Sequence, residues 1–174
     1  MSLARVHNFA LSLDGFGTGE PQSREAPFGH AGERLHEWMF ATGWWKSEMS
    51  GKSGGSGGVD DVFARRFAPG IGAEIMGARK FGPPDWPKDP EWKGWWGPNP
   101  PFHTPTFVLT HRPRPSIEME GGTTFHFLDA TPAQALEKAR ESADGLEGLE
   151  KDYQVEATSS PSGVTHVTFT RTGV

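Results

Sequence analysis

Apolar and polar positions alternate over residues 5–13, RVHNFALSL, and predict a strand. His7, Phe9, Leu11 and Leu13 share one face; Val6, Asn8, Ala10 and Ser12 share the other. A face of small or polar groups leaves room for a flat ligand, although close packing under a helix is the commoner reason for it. A loop with Pro and Gly follows over 21–30, and AGERLHEWMFAT, 31–42, then predicts a helix with Leu35, Trp38 and Met39 at helical spacing. SGKSGGSGG, 50–58, predicts a flexible insert. VDDVFARRFA, 59–68, predicts a helix that turns Val59, Val62, Phe63 and Phe67 to the core.

IGAEIMGARKFG predicts a short buried strand ending at Met76 and Gly77, then a basic turn. The prolines of 82–105 exclude a central strand or a helix through that tryptophan-rich stretch. TFVLTHRPRP is a strand through Phe107 and Leu109, stopped by Pro113 and Pro115. Thr131-Pro132-Ala133-Gln134 is a capping box with proline at the first helical position. Its helix runs through Leu136, Ala139 and Ala143 to Gly145. Tyr153, Val155 and Ala157 alternate, SSPSG turns, and VTHVTFT returns with Val167 and Phe169 inward, a C-terminal hairpin. This order predicts a single α/β layer domain over 1–174 whose sheet is not all-parallel.

Composition narrows the function classes. The chain has 174 residues, 23 Gly, 15 Pro and 7 Trp, which implies long ordered loops rich in aromatic side chains. A net charge of −5 without a basic run argues against nucleic acid. With no cysteine there is neither thiolate chemistry nor a disulfide scaffold. No apolar run is long enough to span a bilayer and no signal-peptide core is readable, so the expected location is the cytoplasm. The histidine spacings fit no metal site, and neither a Walker motif nor a Gly-x-Ser-x-Gly elbow occurs.

The chemistry that remains is anion binding. A strand ending in Gly77-Ala78 and followed by Arg79 and Lys80 can bring backbone N–H groups and cations to a phosphate. Thr110, His111 and Arg112 end the next strand. If the two strand ends are neighbours, Arg79, Lys80, Thr110 and Arg112 surround one phosphate; separately, each is an ordinary solvated strand end. The tryptophans of WKGWWGPNPPF could stack on a sugar or another ring, or simply roof the core.

FALSLDGFGTG, GAEIMGARKFGP, FVLTHRPRP with EMEGGTTFHF, and the closing YQVEA and GVTHVTFTR together resemble the dihydrofolate reductase-like family. The most similar branch is the C-terminal reductase domain of the bifunctional riboflavin-biosynthesis deaminase-reductase. The resemblance runs from residue 5 to residue 145 and resumes at the hairpin. It implies a mixed sheet flanked by helices, with NADPH across the strand ends and a small flat heterocycle, carbonyl or imine as hydride acceptor.

On that resemblance Leu13, Gly15, Gly17 and Gly19 belong to a mobile loop over the nicotinamide, with Asp14 as the acid nearest the reacting centre. Asn8, Leu35 and Trp38 fall on the substrate side. Gly77, Ala78, Arg79 and Lys80 fall on the turn that holds the adenosine phosphate, and Thr110, His111 and Arg112 on its second contact.

Two departures accompany the match. Ala78 replaces the turn's first arginine, and Leu35 stands where dihydrofolate reductase proper has an acid, between Glu33 and Glu37, which argues against folate reduction. The family's segment with a central strand and a Gly-Gly pyrophosphate loop is missing around 144–146. Either the sequence omits it or the chain is a degenerate member, and the intact hairpin pattern beyond the gap favours omission.

The expected activity is therefore NADPH-dependent reduction. A non-catalytic nucleotide- or ligand-binding protein on the same scaffold is the alternative. A carbohydrate-binding module is the third reading, opposed by the helix at 131. The oligomeric state stays open, with a homodimer as one expectation of this fold.

Overall fold

The computed structural model describes residues 10–67, 70–143 and 153–171, with residues 153–156 and 167–171 described by backbone alone. The main sheet contains β1 (Glu74–Gly77), β2 (Pro105–Leu109), β3 (Ile117–Glu118) and β4 (Thr124–Leu128), in the order β1-β2-β4-β3. β1, β2 and β4 run parallel, and β3 is antiparallel to β4. β5 (Tyr153–Ser159) and β6 (Thr165–Arg171) form a separate antiparallel hairpin. The protein is thus mixed α/β with both strand senses, as the sequence pattern implies.

Register explains the core. Met76 pairs with Val108, Val108 with Phe127 and Thr106 with Phe125, so these side chains share one face. Phe81, from the one-turn helix α3 (Ala78–Phe81), is fully buried on that face. It meets Trp86, Phe125 and Phe127 edge-on at ring separations of 4.9, 5.0 and 5.1 Å. Phe107 points to the other face, where it is buried and stacks on His126. The helix α4 (Pro132–Ser142) packs against β1 and β2, burying Ala135 and Ala139. Small residues on α4 let it lie close to the sheet.

The tryptophan-rich stretch is the roof of this core. The Trp86 and Trp92 indoles donate to the backbone carbonyls of Ala78 and Phe81 at 3.1 and 3.2 Å. Trp96 packs against Phe102 and Phe125. Arg114 pins the stretch: its guanidinium donates to the carbonyls of Asp89 and Trp92 and lies over the rings of Phe81, Trp86 and Phe127. Burial pushes the Arg114 pKa down, offset by the Asp89 carboxylate. Asp89 also takes Arg24 at 2.9 Å, which ties the 20–30 loop to the roof. Within WKGWWGPNPPF, Trp92 and Trp96 are half-buried against the core and Trp95 meets Trp92 edge-on, so the stretch roofs the core.

Three sequence expectations need correction. The described part of the expected first strand, 10–13, is not strand; Leu11 and Leu13 are 52% and 112% exposed, while residues 5–9 lie outside the described residues. The expected helix 31–42 breaks into a 3-10 turn (Gly32–Leu35) and one α-turn, α1 (Glu37–Phe40). His36, at the break, lies with its ring centroid 4.4 Å from that of Phe28 and 6.0 Å from that of Phe40. Helix α2 (Val59–Arg65) forms where expected, but Val62 is 50% exposed. Phe67 packs on the core as expected, but the buried positions are Asp61, which accepts the Trp44 N–H at 2.7 Å and Arg65 Nε at 2.7 Å, and Ala64.

Among the described residues, His166 joins the hairpin to the helical side. His166 is 9% exposed, stacks on Phe63 at 4.1 Å, meets Trp38 edge-on at 4.9 Å, and lies 2.7 Å from Asp60 through Nε2. His166 alternates with Val167 and Phe169 along β6; the side chains of those two, expected inward, lie outside the described residues. The expected helix end at Gly145 and the gap at 144–146 also fall outside them.

Candidate anion-binding site

Parallel pairing brings the two suspected strand ends together. Gly77 and Leu109 are register partners at the carboxyl ends of β1 and β2, and Leu109 pairs in turn with Leu128 of β4. The segments leaving these three strands line an open groove of about 770 Å³. Arg79 enters from α3, and Thr110, His111 and Arg112 from the loop after β2. Asp129 and Thr131 come from the turn between β4 and α4. Ligands in open α/β sheets characteristically sit outside the carboxyl ends of parallel strands.

Each wall has a local cause. Thr110 donates its N–H to Leu128 O at 2.9 Å, and its Oγ1 accepts the Arg112 N–H at 3.1 Å, which turns the chain across the sheet end. Thr131 Oγ1 accepts the Gln134 N–H at 3.3 Å, while Gln134 Oε1 accepts the Thr131 N–H at 2.9 Å. This reciprocal capping box fixes the start of α4 beside the groove, where the helix dipole favours negative charge. Trp86 and Pro87 supply the apolar floor.

The groove's electrostatics are cationic with one exception. Arg79 and Arg112 are exposed, and neither forms an ion pair with a described residue. Asp129 is the carboxylate among the lining residues, and its Oδ1 lies 2.9 Å from His111 Nδ1. Two guanidinium groups, a hydroxyl and a helix N-terminus around one groove suit a phosphoryl or carboxylate group.

Of the residues expected at a cofactor phosphate, Ala78, Arg79, Thr110, His111 and Arg112 line the groove. Gly77 stands at the β1 end with open space beside its Cα. Lys80 turns away from the lining, its Nζ 5.9 Å over the Phe102 ring. Its charge faces Glu74, whose carboxyl burial pushes up and Lys80 partly offsets.

The residues expected at the nicotinamide end do not line the groove. Leu13, Asp14 and Gly15 form an exposed turn in which Ser12 Oγ donates to Asp14 Oδ1 at 2.5 Å and accepts the Phe16 N–H at 2.9 Å. Gly15 has φ 89°, and Gly17 is exposed beyond it. Gly19 serves packing: its N–H donates to Phe28 O at 2.8 Å, and a Cβ there would strike the backbone of His30. Leu35 ends the 3-10 turn, half-buried, and Trp38 faces His166. Asn8 lies outside the described residues.

Asp129, Thr131 and Trp86 are groove residues that the sequence did not single out as such. A signal existed in LDATPAQ, where an alternating run, TFHFL, meets a capping box across two residues. That spacing marks a strand-to-helix turn at the sheet's carboxyl edge. Among the described residues no group of three or more His, Cys, Asp or Glu is placed to hold a metal, and no helix is long and apolar enough to cross a membrane. No family model matches the chain, and no curated protein matches it.

Proposed function

We propose that the protein is an NADPH-dependent reductase on a dihydrofolate reductase-like scaffold, acting on a small flat heterocycle or a related carbonyl or imine. The observation that carries this reading is the convergence of Arg79 with Thr110 and Arg112 at adjacent parallel strand ends. Their donor set fits a ribose phosphate: two guanidinium forks, a hydroxyl and the start of α4. The volume, about 770 Å³, is in the range of cofactor sites.

NADPH, when bound, supplies a hydride. Arg79 and Arg112 neutralise the phosphate, Thr110 fixes its orientation, and the Trp86–Pro87 floor gives an apolar surface beside it. The family resemblance alone assigns cover of the reacting end to the Ser12–Phe16 turn, which does not line the groove and leaves Leu11, Leu13 and Phe16 exposed. Asp14 on that turn is the acid we assign to the acceptor side.

Ala78, at the groove wall where the family has an arginine, and Leu35, where dihydrofolate reductase has an acid, favour a second reading. In it the scaffold binds a nucleotide without turning it over. Loss of NADPH absorbance with a panel of flat heterocycles, aldehydes and cyclic imines separates the two. Acceptor-dependent oxidation supports the reductase; saturable binding without oxidation across the panel supports the binding protein.

A further inference from the structure

We propose that Asp129 sets the groove's preference among nucleotides, by tying its affinity for a ribose phosphate to the proton carried by His111. The inference rests on the nucleotide reading above and adds to it a residue and a selection rule.

The pair bridges two walls of the groove. His111 leaves β2 and Asp129 leaves β4, and Nδ1 and Oδ1 meet at 2.9 Å with side-chain exposures of 97% and 57%. Neither side chain is held there by burial, so both are accessible to an incoming ligand at the mouth of the site. The charged groups facing His111 are Asp129 across the groove, Arg112 beside it, and Arg79 from α3. The dipole of α4 adds its positive end.

The two protonation states of the imidazole treat an incoming dianion differently. Neutral His111 donates Nδ1–H to Asp129 and leaves Nε2 as a lone pair, which repels a phosphate oxygen. Two cations then face one carboxylate, and Asp129 opposes the phosphate directly. Protonated His111 offers Nε2–H as a donor and matches the Asp129 charge. Three cations then stand against one carboxylate. A phosphate therefore selects the imidazolium, whereas a nucleotide with a plain ribose is insensitive to this proton.

The test is the NADPH-to-NADH affinity ratio, with adenosine 2′,5′-bisphosphate as a second phosphate probe, for wild type, D129N and H111Q at about pH 6 and about pH 8.5. At the higher pH, D129N should raise the ratio about three- to tenfold over wild type, because a like charge has left the phosphate's surroundings. At the lower pH the gain should be smaller, because the same substitution also removes the imidazolium's partner. H111Q should lower the ratio at the lower pH and match wild type at the higher.

A D129N ratio equal to or below wild type at the higher pH overturns the inference while leaving nucleotide binding intact. Bisphosphate binding with the expected Asp129 dependence, but no NADPH oxidation with any acceptor, keeps the inference and removes the reductase. A wild-type protein that binds neither NADPH nor the bisphosphate overturns both.

Discussion

Gly77 and Leu109 stand opposite one another in parallel register, so the chains leaving β1 and β2 emerge side by side at one edge of the sheet. Arg79 and Arg112, two and three residues beyond that pair, consequently line one groove. If both hold the same phosphate, Arg79→Ala and Arg112→Ala should each weaken NADPH binding about tenfold, at the scale of one charge-assisted contact. NADH binding should change far less. Lys80→Ala, outside the lining, should leave the NADPH-to-NADH ratio within about twofold. Calorimetric titration of the three variants measures the set.

Phe81 holds the centre of the aromatic core at zero exposure, in edge contact with Trp86, Phe125 and Phe127. Phe81→Ala should cost about 3–5 kcal/mol, the lost transfer energy plus the cavity left behind. Urea unfolding followed by tryptophan emission measures it. Phe81→Leu, which keeps most of the volume, should cost clearly less.

Two carboxylates on α2 give stability a defined acid limb. Burial pushes Asp60 up, but hydrogen bonds from His166, Ser160 and Ser162 outweigh it and hold the group below its ordinary 3.8. Burial likewise opposes ionisation of Asp61, and the Trp44 N–H and Arg65 outweigh it. Both folded pKa values are lowered, so this stabilisation is complete above about pH 4 and is lost as pH falls through the folded values. Asp61→Asn should reduce stability at neutral pH and flatten the decline from about pH 4 to about pH 2. Urea midpoints over that range check both effects.

The capping box at Thr131 also bears on the groove, since it fixes the start of α4 there. Thr131→Ala removes the acceptor for the Gln134 N–H and should cost about 1 kcal/mol. Thr131→Ser keeps the hydroxyl and should recover most of it. Thermal unfolding of the two variants gives the comparison.

The parts of this protein that were legible in its letters are those where local chemistry and tertiary placement agree. MGARK and LTHR end strands with glycine, hydroxyl and cations, and the parallel pairing of β1 with β2 brings them together. TPAQ carries its own capping geometry, so α4 begins where expected. Illegible features are polar groups that work inward. Hydrophobic spacing assigns Val62 to the core, yet Asp61 takes that side because a backbone N–H and an arginine satisfy its carboxylate. Arg114, flanked by prolines, carries no sequence signal of burial, yet lies among three core rings. His166 falls on the face opposite Val167 and Phe169, the pair expected inward, and docks the hairpin on Asp60 and Phe63. Strand β4 was visible only as part of a family resemblance, although TFHFL alternates and supplies Phe125 and Phe127 to the core. At the other extreme, Leu11 and Leu13 alternate convincingly and are exposed, since a period of two fixes a face but not the neighbour that would bury it.

The central claim, that the groove at the carboxyl ends of β1, β2 and β4 receives a nucleotide phosphate, is tested most directly by tryptophan emission. Trp86, one of the chain's seven tryptophans, lines the groove floor and contributes to that emission. Titration with NADPH should quench the emission saturably, with about tenfold higher affinity than NADH, and Arg79→Ala should remove most of that difference. Equal affinity for the two nucleotides, or no saturable quenching by NADPH, would contradict the account.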